Sequence, residues 1–126
     1  MLPTNFDTLA SDNSDLKPVI GRLKDWVIGH SDWSVLDPRV LARDLRDVDP
    51  YLLATVLVGL VKIGLYRRVY MVETPSGVLA EDEYDDPRKV PERVADSFFN
   101  YFDPMETDIV PVYKPVKSEK KWPNPV

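Results

Sequence analysis

Two Asp-Pro pairs, Asp37-Pro38 and Asp49-Pro50, constrain this chain more than any other feature. An Asp carboxylate accepts hydrogen bonds from the first free N–H groups of a helix. A Pro directly after it occupies the helical position where a missing N–H and a fixed φ are no handicap. Each pair therefore predicts a helix start. The starts lie only twelve residues apart, so the first of these helices is short. It runs from Pro38 to about Arg46 and buries Val40, Leu41 and Leu45. The other begins at Pro50 and is closed by Gly64, which adopts the left-handed conformation of a helix end without strain.

Two capped helices joined by a tight turn form a helix-turn-helix. A further helix precedes them, because Leu16, Val19, Ile20, Leu23, Trp26 and Val27 recur at helical spacing with Gly29 as terminator. Residues 1–14 are polar and aperiodic and predict a flexible N-terminus. "SDWSVL" joins the first and second of these helices as a short extended piece. Beyond Gly64, "LYRRVYMVET" is rich in aromatic and β-branched residues, "PSG" supplies a turn, and "VLAEDEY" returns, which predicts a hairpin.

Helix, short strand, helix, helix and hairpin in this order resemble the winged helix-turn-helix superfamily over residues 15–84. "LVKIGLYRR" resembles the junction at which that superfamily's recognition helix ends in Gly and enters the first wing strand. The resemblance implies an α+β fold, a three-helix winged helix with a β-hairpin wing and a small C-terminal extension over residues 85–113. It is silent on function, since this scaffold serves DNA readers, RNA binders and protein-docking modules alike.

The third predicted helix narrows that choice. With Leu53, Val56, Leu57 and Leu60 facing inward, its outward face is Tyr51, Leu52, Thr55, Val58, Gly59 and Lys62. Base edges and phosphates are read by Arg, Lys, Asn, Gln and Ser, and only Lys62 is of that kind. Two readings stay open: the helix is covered by the chain's own C-terminal part, or Tyr51, Leu52 and Val58 form a docking patch with Gly59 admitting a close approach. For a nucleic-acid interface the nearby reserve of charge is Lys62, Arg67 and Arg68, supplemented by Lys17, Arg22 and Lys24 of the preceding helix.

The region after the wing resembles, more weakly, bacterial winged-helix proteins extended by a zinc-ribbon-like unit. "TPSG" stands where that family has its first Cys-containing knuckle, "VPERVADSFFNYF" where it has the second, and "DIVPVY" where it has a closing strand. The metal ligands are missing: Thr74, Asp96 and Phe99 occupy thiolate positions, and a closed zinc site needs four N or S donors. Phe98, Phe99, Tyr101 and Phe102 then hold the ribbon's shape by packing. Alternatively, residues 91–102 form a short amphipathic helix sealed by Val94, Phe98 and Phe102. This resemblance also implies an accessory subunit of a bacterial multi-gene system of the conflict or defence type.

Composition excludes much of the rest. A formal charge of −5 and a pI near 4.8 give no general attraction to nucleic acid or anionic membranes. The absence of Cys removes disulfides and thiolate metal sites. His30, the single histidine, falls in a predicted polar turn and builds neither a zinc site nor a catalytic triad alone. "EDEYDD" crowds five carboxylates between Glu81 and Asp86 without the alternation, central Gly or final Glu of a calcium loop, so it reads as a solvated loop. No secretory signal, bilayer-spanning run, phosphate loop or nucleophile motif occurs, which points to a cytoplasmic, non-enzymatic protein with no cofactor, metal or small molecule implied.

The Pro- and Lys-rich tail, residues 114–126, is predicted to be extended and disordered or loosely packed, with two alternatives: it docks in trans through Trp122, or it folds back across the acidic loop through Lys117, Lys120 and Lys121. Two functions follow as expectations. One is a protein-protein adaptor using Tyr51, Leu52, Thr55, Val58, Gly59, Lys62 and Trp122 to hold a partner or a second copy of itself. The other is a dimeric DNA-binding regulator or antitoxin drawing on Lys62, Arg67 and Arg68.

Overall fold

A computed structural model describes residues 2–30 and 35–116, with side chains from Phe6 onward. Among these residues it is an α+β arrangement of four α-helices and two antiparallel strand pairs. The helices are α1 (Leu2–Asp12), α2 (Lys17–His30), α3 (Pro38–Asp44) and α4 (Pro50–Lys62). The strands are β1 (Tyr66–Val72), β2 (Val94–Ala95), β3 (Tyr101–Phe102) and β4 (Ile109–Pro115). Trp122 and most of the tail lie outside the described residues, as does most of the extended piece after α2.

Both Asp-Pro signals act as their chemistry dictates. Asp37 accepts from the backbone N–H of Arg39 at 3.0 Å and Asp49 from that of Tyr51 at 2.8 Å, each cap being worth about 1 kcal/mol. Gly64, at φ +79°, ends α4: its N–H reaches the Val61 carbonyl and the Leu65 N–H reaches that of Leu60. This pairing satisfies two of the last free carbonyls of the helix. Leu41 and Leu45 are buried and Val40 is half-buried. Gly29 does not terminate α2, which continues to His30.

The N-terminus departs from expectation. Residues 2–12 form helix α1, whose Phe6 and Leu9 are buried beside half-buried Ala10. These positions share one helical face, and the Asn13 side-chain amide donates to the Leu9 carbonyl at 3.0 Å to close the end. Helices α1, α2 and α4 pack on one another, and their core includes Phe6, Leu23, Val27, Val56 and Leu60, joined by Leu36, Tyr66 and Tyr113.

β1 pairs with β4, and Leu36 bridges to Tyr113 on β4 through reciprocal backbone hydrogen bonds of 2.7 and 2.9 Å. The predicted hairpin after β1 exists as single bridges, Glu73 with Leu79 and Tyr70 with Tyr84, rather than a full second strand. Residues 91–102 are not a helix. They form the antiparallel pair β2–β3, with Val94 opposite Phe102 and Ala95 opposite Tyr101.

The chain divides into two compact units, Met1–Arg67 with Tyr113–Val126, and Arg68–Val112. The return arm of the hairpin and the extension after it both fall within Arg68–Val112. Small apolar clusters hold this second unit, one of Val69, Met71 and Val112 and another of Val72, Ala80 and Val94. Among the described residues no helix is long and apolar enough to cross a membrane.

Candidate docking surfaces

Helix α4 carries the face that the sequence singles out. Leu53, Val56, Leu57 and Leu60 are buried, while Tyr51, Leu52, Thr55, Val58 and Lys62 are exposed and Gly59 is half-buried. Tyr51 is 83% exposed, Leu52 38% and Val58 39%. The Thr55 hydroxyl donates to the Tyr51 carbonyl at 2.9 Å, which turns it back onto the helix and leaves its methyl to add to the apolar surface.

Gly59 has a different role from the one the sequence suggests. A Cβ placed there would stand 3.2 Å from Leu9 Cδ1, so the close approach that a glycine permits is taken up by the chain's own α1. Cover on this side of α4 comes from Leu9 of the N-terminal helix. It is partial. A groove of about 280 Å³ remains beside it, with Leu9, Leu16, Thr55, Val58 and Ile63 among its walls and Lys62 at its margin. A second groove, of about 260 Å³, runs between α3 and α4 over Pro38, Ala42, Val48, Leu53 and Leu57.

Lys62, Arg67 and Arg68 are all exposed, Lys62 at the end of α4 and the two arginines near the start of β1. His30 stacks on Trp26 with ring centroids 4.0 Å apart, and its Nδ1 lies 2.8 Å from the Trp26 carbonyl oxygen, so that nitrogen is the donor. The Trp26 indole N–H donates to Asp44 at 2.9 Å. That bond, with a second from Arg43, holds the Asp44 carboxyl below its ordinary range. The cluster straps α2 to α3.

In the second unit the turns expected to resemble metal knuckles are closed by side chains. The Thr74 hydroxyl, in a buried residue, donates to the Val78 carbonyl at 2.7 Å, and the Thr74 N–H reaches the same oxygen at 2.8 Å. Asp96 Oδ1 accepts from the N–H groups of Phe98 at 2.8 Å and Asn100 at 2.9 Å. Among the described residues no three His, Asp or Glu side chains converge as metal ligands.

The aromatic residues of this hairpin do not pack as expected. Phe102 joins the cluster of Val72, Ala80 and Val94, but Phe98 is 82% exposed, Phe99 81% and Tyr101 70%. The backbone explains why: Asp96 closes the turn under Phe98 and Phe99 and turns both rings outward from the strand pair. Asp, Ser and Asn around a Phe-Phe pair are turn formers, and that composition was the available signal for an exposed tip.

No protein-family model, curated protein or solved structure matches this chain.

Proposed function

We propose that this protein is a non-enzymatic protein-interaction module of winged-helix type, which holds a partner protein or a second copy of itself on the outward face of α4. The observation that carries the reading is the exposure of Tyr51, Leu52 and Val58 together on a helix whose opposite face is buried. A contiguous apolar patch on a folded surface marks an interaction site more often than an isolated exposed residue does. Lys62 is the single cation of α4, so the face has little to offer a phosphate backbone. The regulator reading draws on Lys62, Arg67 and Arg68, with Arg22 and Lys24 of α2 paired to Asp47 and Asp7, on a chain of net charge −5.

Val58→Glu tests the proposal. An exposed charge is nearly neutral for stability, whereas an unpaired carboxylate trapped in an interface costs on the order of 2–5 kcal/mol. The expected result is a variant with unchanged melting temperature that has lost the wild type's self-association, or the partner that co-purifies with it from its native source. Association that survives the change would refute the reading. Salt-sensitive binding of random duplex DNA, lost when Lys62, Arg67 and Arg68 are neutralised, would replace it with the regulator.

A further inference from the structure

We infer that the β2–β3 hairpin is a second docking surface, and that its occupant is a cationic, extended protein segment. The inference does not rest on the α4 reading, because it concerns only residues of the second unit.

Charge sets the sign of the occupant. The stretch Arg68–Val112 carries eleven carboxylates and four basic residues, a formal charge of −7, whereas the rest of the chain sums to +2. Three of the four basic residues are held by carboxylates of the same unit: Arg88 by Asp86 at 2.7 Å, Lys89 by Asp85 at 3.0 Å and Arg93 by Asp103 at 3.0 Å. The uncompensated charge therefore stays acidic around the exposed rings. Nucleic acid and anionic lipid are repelled by such a field.

Shape and chemistry set the rest. A groove of about 230 Å³ is lined by Glu81, Asp82, Ala95, Asp96, Ser97 and Phe99. A guanidinium or ammonium entering it has an aromatic ring and the carboxylates of Glu81 and Asp82 within one groove, so cation–π attraction and charge pairing can combine there. Phe98, Tyr101 and Met105, each at least two-thirds exposed, supply apolar contact for neighbouring side chains. Among the described residues β2 and β3 pair with each other and with no third strand, and an added strand is the way an extended segment pairs with such a sheet.

Backbone conformation supports the same reading. Phe99 adopts φ +64°, the left-handed region that a bulky residue enters only at a cost. Its ring is left in solvent there, and the conformation is held by the backbone bonds of the turn, from the Phe99 N–H to the Asp96 carbonyl at 3.0 Å and from the Asn100 N–H to Asp96 Oδ1 at 2.9 Å, not by packing of the ring. An exposed aromatic side chain held in a disfavoured conformation is the kind of local strain that accompanies a binding site.

The test uses the full chain and a short fluorescein-labelled peptide of alternating arginine and leucine, followed by fluorescence anisotropy at low and physiological salt. Wild type should bind it, and Phe98→Ser/Phe99→Ser and Glu81→Gln/Asp82→Asn should each weaken binding about tenfold with the fold intact by circular dichroism. Val58→Glu should leave this binding unchanged, which separates the two surfaces. No binding by wild type would overturn the inference. So would binding that survives loss of both Phe rings, since that is unspecific attraction to the acidic loop, and so would equal binding of a glutamate-leucine peptide.

Discussion

Leu9 of α1 lies over Gly59 of α4, with its Cδ1 3.2 Å from the point where a Cβ on residue 59 would stand. Gly59→Ala gains helix propensity of about 1 kcal/mol and asks only that a flexible leucine tip yield slightly, so its stability should stay within about 1 kcal/mol of wild type. Gly59→Val adds two methyl groups against Leu9 and should destabilise by about 1–3 kcal/mol, with Leu9→Ala relieving part of the clash. Urea unfolding of the three variants decides it. Equal stability of the Ala and Val variants would mean that α1 is not seated on α4.

Tyr66 is buried in the helical core with no hydrogen-bond partner for its hydroxyl among the described residues. Removing that hydroxyl should stabilise the protein by about 1 kcal/mol in Tyr66→Phe. Burial also pushes the phenol up to about 12 from its ordinary value of 10.0. The folded state thus favours the neutral ring, and this contribution is complete below about pH 10 and lost as pH rises toward 12. Melting temperatures across that window should fall less steeply in the Phe variant.

Asp86 titrates in the opposite sense. The Arg88 guanidinium, and then the Arg88 backbone N–H, draw its carboxyl down to about 2 from the ordinary 3.8. A depressed carboxyl supports the fold above its unfolded value and loses that support as pH falls through about 2. Asp86→Asn, which keeps an acceptor oxygen for the N–H but has no charge to lose, should flatten the acid limb of the stability curve between about pH 4 and pH 2. A limb of unchanged slope would show that the Asp86–Arg88 pair contributes nothing in solution.

What the sequence makes legible here is what local chemistry decides. Asp37, Asp49 and Gly64 act within a turn of their own positions, and the buried set Leu53, Val56, Leu57 and Leu60 follows from helical period alone. The outward face of α4 was readable for the same reason. Helix α1 was not, because Phe6, Leu9 and Ala10 give a short apolar stripe whose stability comes from distant packing on α2 and α4. The hairpin at 94–102 misled in the other direction. Val94, Phe98 and Phe102 stand four residues apart as on a helix face, yet the Asp96 carboxylate binds the Phe98 and Asn100 N–H groups in a turn that no helix can contain. Hydrophobicity assigns Phe98 and Phe99 to a core, so an aromatic tip in solvent is the feature that pattern reading is least able to find.

Phe99 separates stability from recognition more cleanly than any other residue. Its left-handed backbone costs a non-glycine residue roughly 1–2 kcal/mol, and glycine at such a position returns part of that to the greater freedom of the unfolded chain. Phe99→Gly should therefore leave the protein as stable as wild type or more stable by up to about 1 kcal/mol, since the ring it removes is 81% exposed. The same variant should bind the arginine-leucine peptide several-fold more weakly, because one wall of the groove beside Glu81 and Asp82 is gone. Thermal unfolding and anisotropy on one preparation check both halves. Destabilisation by more than about 1 kcal/mol, the scale of an ordinary core or cap loss, would show that the ring serves the fold, and the strain at residue 99 would then need no binding role to account for it.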